Sequence, residues 1–317
     1  MPASSPDPRQ PRGSAPTLAV VVPATNEPST LERCLAALEA SERGADELVV
    51  QRWPAGAGPA AARNLGSAGA TADVLVFVDS DVEVDADALG RIERHFRDDP
   101  DLGAVFGAYD DDPADPGLAS RYRNLLHHHV HAEAAGEAET FWAGLGAVRR
   151  DAFRSTGGFD AEAFPQASVE DIELGMRLRR RGSRILLDPR IRGRHLKRWT
   201  VPDMVRTDLG RRGVPWARLL LRERSGSTAL NLGWKRRASA ATSVALLGAL
   251  LTHRPRAAAA ALLANLALDR GLYALLARRG GARLLVAGIG LHQLHQLSAA
   301  VSVPVAVALH LAEGARK

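Results

Sequence analysis

The stretch that decides the fold is 72–85, ADVLVFVDSDVEVD. Val74–Val78 is an unbroken apolar run, rich in β-branched residues, and it ends abruptly in Asp79-Ser80-Asp81. A short apolar run bounded by polar residues reads as a strand buried on both faces, as in a parallel sheet. In open α/β sheets ligands bind outside the carboxyl ends of the strands. The sequence therefore sets two carboxylates where a ligand would sit. Two such charges about 4 Å apart repel by roughly 4 kcal/mol at an effective dielectric of 20. A hard divalent cation with oxygen ligands converts that repulsion into binding. Taken alone, the pair is equally a solvated loop or a cap for the helix expected over 87–96.

Working outward, the flanking segments alternate. Residues 18–22 form a buried strand that runs into Pro23-Ala24-Thr25-Asn26-Glu27-Pro28. Ser29 or Thr30 caps a helix through about Leu38, with Leu31, Cys34, Leu35 and Leu38 on its apolar side. Residues 48–50 make a second strand, 54–59 (PAGAGP) a flexible loop, and 60–68 a helix carrying Arg63 and Asn64. Strand–helix alternation of this kind predicts a mostly parallel α/β sheet.

Three motifs in this order, VVPATNE, GPAAARNLG and VLVFVDSDVEVD, resemble a family 2 glycosyltransferase of GT-A fold. The likeness continues at FWAGLGAVRR (141–150), at Gly157-Gly158-Phe159-Asp160, and at VEDIELG (169–175) through Arg181-Gly182. It covers roughly residues 18–200. It implies a Rossmann-like mixed sheet and transfer of a sugar from a nucleoside diphosphate with inversion at the anomeric carbon. Asp79 and Asp81 would then hold Mg2+ or Mn2+ against the donor diphosphate, with His195 at a position that can complete that site. The resemblance maps the general base onto Asp171, with Glu170 beside it. An inverting transfer needs one such base to take the proton of the attacking hydroxyl. The competing reading of Asp171 is a carboxylate that favours a helix N-terminus. Pro23, Thr25, Asn26, Glu27, Arg63, Asn64 and Ser80 are expected along the donor, with Gly144 near its sugar and Lys197 and Arg198 near its phosphates. Trp142 stacks on a sugar or packs in the core, with the core favoured. The family's second strand commonly ends in an acidic pair; here Val50 is followed by Gln51-Arg52-Trp53, so uridine diphosphate is only the default nucleotide.

The 317 residues allow about two domains. Net charge is +5, with arginines dense in 177–184, 190–198, 206–224 and 235–237. Phosphorylated substrates or an anionic membrane surface suit such patches. No zinc spacing, RNP motif or helix-turn-helix pattern is present, so nucleic acid is not expected as a partner. The single cysteine, Cys34, forms no intrachain disulfide and reads as helix packing. His127, His128, His129 and His131 invite a metal, but only His127 and His131 share a helix face, so a polar helix near the acceptor cleft is preferred.

Composition shifts after Lys235-Arg236-Arg237. Residues 238–251 and 257–268 are apolar but short for a span, and 284–311 is long enough to cross a bilayer. The expected organisation is a disordered leader (1–16), a GT-A catalytic domain (17–225) and a helical membrane-associated region (226–317). The basic segment 202–218, with Arg206, Arg211, Arg212 and Trp216, is expected as a loop over the donor or at the membrane. The expected function is a metal-dependent inverting transferase at the cell membrane, its catalytic domain cytoplasmic, acting on a lipid-linked or glycan acceptor. The alternative is a non-catalytic nucleotide-sugar or polyanion-binding membrane protein that keeps the fold. A phosphotransferase using Asp79 and Asp81 fails, because Val82-Glu83 follows where Gly-Thr is needed.

Overall fold

The computed structural model describes residues 15–223 and 233–314; the expected leader and the expected boundary at 225/226 lie almost wholly outside them. Strand β1 (Leu18–Pro23) leads to helix α1 (Leu31–Glu39), β2 (Glu47–Gln51), α2 (Pro59–Ala68) and β3 (Val74–Val78). β1 pairs in parallel with both β2 and β3, as the alternation predicts. All five residues of β3 are buried, which is why its sequence shows no polar face.

Then follow β4 (Val82–Val84), α3 (Ala88–Asp98), β5 (Leu102–Tyr109), α4 (Leu118–Glu133), the two-residue β6 (Gly136–Glu137), β7 (Leu145–Arg149), α5 (Arg150–Thr156), α6 (Glu170–Arg180) and β8 (Arg184–His195). The sheet has eight strands in the order β2-β1-β3-β7-β5-β8-β4, with β6 beside β8. It is mixed: β7 runs antiparallel between β3 and β5, while β5 and β8 are parallel. β5 is buried at all eight positions, yet its glycines and alanines give it little strand signature in the sequence. β8 extends over twelve residues to His195, because it pairs with β5 and then with β4. Cys34 is fully buried against the sheet, and burial pushes its thiol up to about 12, so it packs and does not react.

The segment expected as a loop over 202–218 is helical instead. It comprises α7 (Val201–Arg206), a π-helical turn over Thr207–Gly213, and α8 (Val214–Glu223). Thr200 caps α7, its hydroxyl accepting the Asp203 N–H. Helices α9 (Trp234–Leu251), α10 (Pro255–Leu268) and α11 (Arg270–Gly314) complete the described chain, with α11 broken at Gly281, whose φ is +61°. These helices share a second core with the sheet-bearing part: Tyr122, Leu125 and Val130 of α4 pack with Met204, Leu272, Leu276 and Leu284.

Candidate active site

The site forms where the carboxyl end of β3 meets the starts of β7 and α6. The N–H of Asp79 donates to the carbonyl of Gly144 (2.9 Å), which closes the β3 carboxyl end over the segment entering β7. Helix α6 lies unusually close to that segment. A Cβ on Gly175 would stand 2.3 Å from the Phe141 nitrogen, so only glycine permits the approach. The approach lets the Asp171 carboxylate accept from the Ala143 N–H (3.2 Å) as well as from the Ile172 N–H (2.8 Å). Gly175→Ala is therefore expected to lower stability by roughly 1–3 kcal/mol, the usual cost of overpacking, and to reduce turnover further by displacing Asp171. Denaturant melts and kcat on the same preparation check both effects.

Arg63 is the hinge of the arrangement. It is buried on α2, and its guanidinium donates to Asp79 Oδ1 (2.6 Å) and to Glu170 Oε1 (3.1 Å). One side chain thus joins the D-x-D strand end to the Glu-Asp pair. Glu170 also accepts the Ser168 N–H (2.8 Å). Burial raises the pKa of Asp79 despite the nearby Arg63. Burial also raises Asp171, helped by the charge of Glu170, to about 6.

Asp81 is placed by strand pairing. β4 and β8 pair with Val82 opposite His195, and the Leu196 N–H donates to the Asp81 carbonyl (2.8 Å). His195 Nε2 consequently stands 3.5 Å from Asp81 Oδ2. Burial works to raise the Asp81 pKa, but the hydrogen bond and charge of His195 and the charge of Lys197 outweigh it and hold it low. The His195 ring stacks flat on Tyr109, centroids 4.1 Å apart and 10° from parallel. Sequence reading missed Tyr109, the last residue of a strand it did not recognise.

Among the described residues no three His, Cys, Asp or Glu side chains converge as a self-sufficient metal site. Asp79 and Asp81 still offer hard oxygen donors, about a quarter exposed, at the strand ends. Arg63 engages one oxygen of Asp79. The donor set therefore fits a cation that takes its other ligands from a bound diphosphate.

Other expected site residues divide. Thr25 is buried, and its hydroxyl hydrogen-bonds the Ala57 carbonyl, fixing the 54–59 loop. Asn26 and Glu27 are exposed, with Glu27 in the left-handed region at φ 47°. Ser80 is half-buried between the aspartates, Pro23 closes β1, and Lys197 and Arg198 are exposed. Lys197 lies 4.3 Å from the centroid of the Trp199 ring.

Two of the expected residues have structural partners within the chain. The Asn64 amide accepts the Phe159 N–H (2.9 Å) and donates to the Phe159 carbonyl (2.8 Å), pinning the turn at Gly158, φ +73°. At Gly144 a Cβ would meet the Trp142 indole at 2.4 Å, so the indole packs directly on its backbone. Trp142 itself is buried in the core. His127 and His131 stack on each other (3.9 Å) and pack against Trp142, and burial keeps them neutral, His131 near 4. They form a polar wall of the cleft.

A cavity of 630 Å³ opens beside Asp171. Its lining is mixed: Asp171, His127 and Arg212 are among the polar members, and Trp216, Leu220, Val303 and Val307 among the apolar ones. Asp208, buried in the π-helical turn, accepts from Arg123 Nη2 (2.7 Å) and pairs with His295 Nδ1 (2.7 Å), which ties the turn to α4 and α11. No local pattern in the sequence joins these three residues.

The mixed sheet, with the aspartate pair at the β3 end and the Glu-Asp pair opposite it, is that of a GT-A fold. The chain belongs to glycosyl transferase family 21, whose model matches residues 47–300. The fold class implied by the family 2 resemblance holds, and the family itself is 21. The chain is similar to the solved mannosyltransferase PcManGT from Pyrobaculum calidifontis in complex with GDP-Man and Mn2+, at 18% identity and TM-score 0.51, covering 93% of this chain and 90% of that one. It is also similar to TarS of S. aureus, at 16% identity and TM-score 0.48, covering 89% and 90%. No curated protein sequence matches it.

Proposed function

We propose that this glycosyltransferase moves a sugar from a nucleoside-diphosphate sugar, uridine diphosphate by default, to a hydroxyl of a lipid-linked acceptor with inversion. The observation that carries the reading is the Arg63 bridge, which holds the donor-side Asp79 and the base-side Glu170 in one cleft. Residues 17–225 form the catalytic unit in this reading, and 226–317 associate it with the cytoplasmic face of the cell membrane.

Asp81 and Asp79 would hold Mg2+ or Mn2+, with His195 steadying Asp81 or adding a ligand. When bound, the cation neutralises the charge that develops on the departing diphosphate. Pro23, Thr25, Asn26, Glu27 and Ser80 are assigned to the nucleotide, and Lys197, Arg198 and Arg212 to its phosphates. Asp171 takes the proton of the acceptor hydroxyl; Glu170 positions it through Arg63. The cavity beside Asp171, with polar and apolar residues in its lining, suits an amphiphile with a hydroxyl head and favours a lipid-linked acceptor over a free polysaccharide.

A base must be ionised to act. Because the Asp171 pKa is raised to about 6, kcat/KM is expected to be flat above that pH and to fall roughly tenfold per unit below it. A pH–rate profile at low donor concentration checks this.

The test of the whole reading is a thermal-shift screen of nucleotide sugars with Mn2+, followed by product analysis. A donor at about 100 times its dissociation constant should add roughly 2.7 kcal/mol of stability. Chelation should remove turnover, and nuclear magnetic resonance should show the inverted anomer. Binding without turnover, in the presence of a lipid acceptor, would favour the non-catalytic alternative.

A further inference from the structure

Helix α11 is, among the described residues, the one helix long and apolar enough to cross a membrane by length and composition. Its anchors say otherwise. Before the break at Gly281, Arg279 is ion-paired to Asp111, which follows strand β5. Beyond the break, Leu284 packs in the α4 core, and His292 Nδ1 meets the Tyr122 hydroxyl of α4 (2.9 Å). One turn on, His295 pairs with Asp208. Ser302 then packs so closely on the π-helical turn that a Cβ on Gly213 would meet its hydroxyl oxygen at 2.1 Å. At the far end Glu313 pairs with Arg218 and Arg222 of α8, and α8 is itself tied to the catalytic helix α6 through Glu223 and Arg180.

From 284 to 313 the helix runs about 44 Å at 1.5 Å per residue, longer than the hydrocarbon core of about 30 Å. It touches the part of the chain that carries the candidate site, and the helices α7 and α8 beside it, at its start, its middle and its end. A spanning helix would have to carry one of these ends to the opposite side.

The outward face of the same helix is apolar. Val301, Val305 and Leu309, four residues apart and so in one row, are all substantially exposed, and Val286 and Leu311 are exposed further along. Exposed arginines stand at the Gly281 break (Arg278, Arg283) and at the turn between α9 and α10 (Arg254, Arg256). Helix α10 has 14 residues, and the apolar part of α9, from 238 to 251, is no longer, so both are short for a span.

We propose that α11 lies in the plane of the membrane, its outward valine–leucine row immersed in one leaflet of anionic lipid and its His292–His295 face on the catalytic unit. A leaflet is favoured over a second copy of the chain for two reasons. The flanking arginines complement anionic headgroups. The cavity beside Asp171 also has α11 residues, Val303 and Val307, in its wall, so the immersed helix and the candidate base border one cavity. The inference rests on the membrane association proposed above.

The test uses the full chain with Cys34→Ser and a single new cysteine at Arg278 or at Ala312, in sealed membrane vesicles of either orientation. In-plane docking expects both cysteines to react with an impermeant maleimide in the same orientation; reaction in opposite orientations overturns it in favour of a span. Purified protein should float with phosphatidylcholine vesicles containing phosphatidylglycerol, and the triple variant Val301→Asp, Val305→Asp, Leu309→Asp should stop floating while keeping its circular dichroism spectrum and soluble-acceptor turnover. Flotation unchanged in that variant overturns the proposal. A wild-type dimer in light scattering that ignores vesicles assigns the face to a second copy and overturns both this inference and the membrane association, leaving the sugar-transfer reading intact.

Discussion

Replacing Asp171 by Asn is expected to lower kcat by roughly 10²- to 10⁴-fold, the usual contribution of a positioned general base, while leaving the donor dissociation constant and Tm nearly unchanged. The carboxylate lies against the cavity and accepts from two backbone N–H groups, of Ala143 and Ile172. Asn can still accept from one of them, so local geometry survives. Burial holds the acid at about 6, so ionised Asp171 is poorly stabilised by its surroundings, and losing the charge costs the fold little. A carboxylate that served only to complement the α6 N-terminus would give the reverse pattern. Stability would then fall by roughly 0.3–1 kcal/mol and turnover would persist. Initial rates with nucleotide sugar and Mn2+, beside a melting curve of each protein, separate the two. Turnover retained in Asp171→Asn removes the base assignment.

The second large effect belongs to Arg63. Arg63→Met keeps much of the volume but leaves Glu170, itself buried, without its cation, and removes the partner of Asp79. Removing one member of a buried pair typically costs roughly 3–5 kcal/mol, because the remaining charge is stranded. In a chain of this size that corresponds to a Tm drop on the order of 10 °C. Arg63→Lys should recover only part of the loss, since a single ammonium cannot fork between two carboxylates as a guanidinium does. Differential scanning calorimetry across the three proteins checks the order wild type, Lys, Met. A Met variant that melts with the wild type would mean that the bridge does not hold the two motifs together.

Both outcomes depend on residues that the sequence singled out for separate reasons. Asp171 stands out through the family resemblance, whereas Asp79 and Asp81 stand out because a buried strand ends in two carboxylates. The latter signals are local: period, chain punctuation and charge at an element's end. The same kind of signal located β1, β2, β3, α1, α2 and α6, and the apolar tail. It failed at β5, where glycine and alanine erase the strand pattern although every residue is buried. It failed again at 202–218, where basic residues read as a loop but the chain makes α7, a π-helical turn and α8. Nor did it reveal that Asn64 bonds the Phe159 backbone or that Trp142 packs on Gly144.

By itself the amino-acid order determined the α/β class, the acidic strand end and the apolar character of the last third, since each is written within a few neighbouring residues. Only the folded chain decided that Arg63 joins the two acidic motifs, that Tyr109 backs His195, and that α11 is fastened at both ends to the catalytic unit. Those are encounters between side chains far apart along the backbone. Hydropathy and periodicity report what surface a segment prefers to bury, and cannot say which distant partner will bury it.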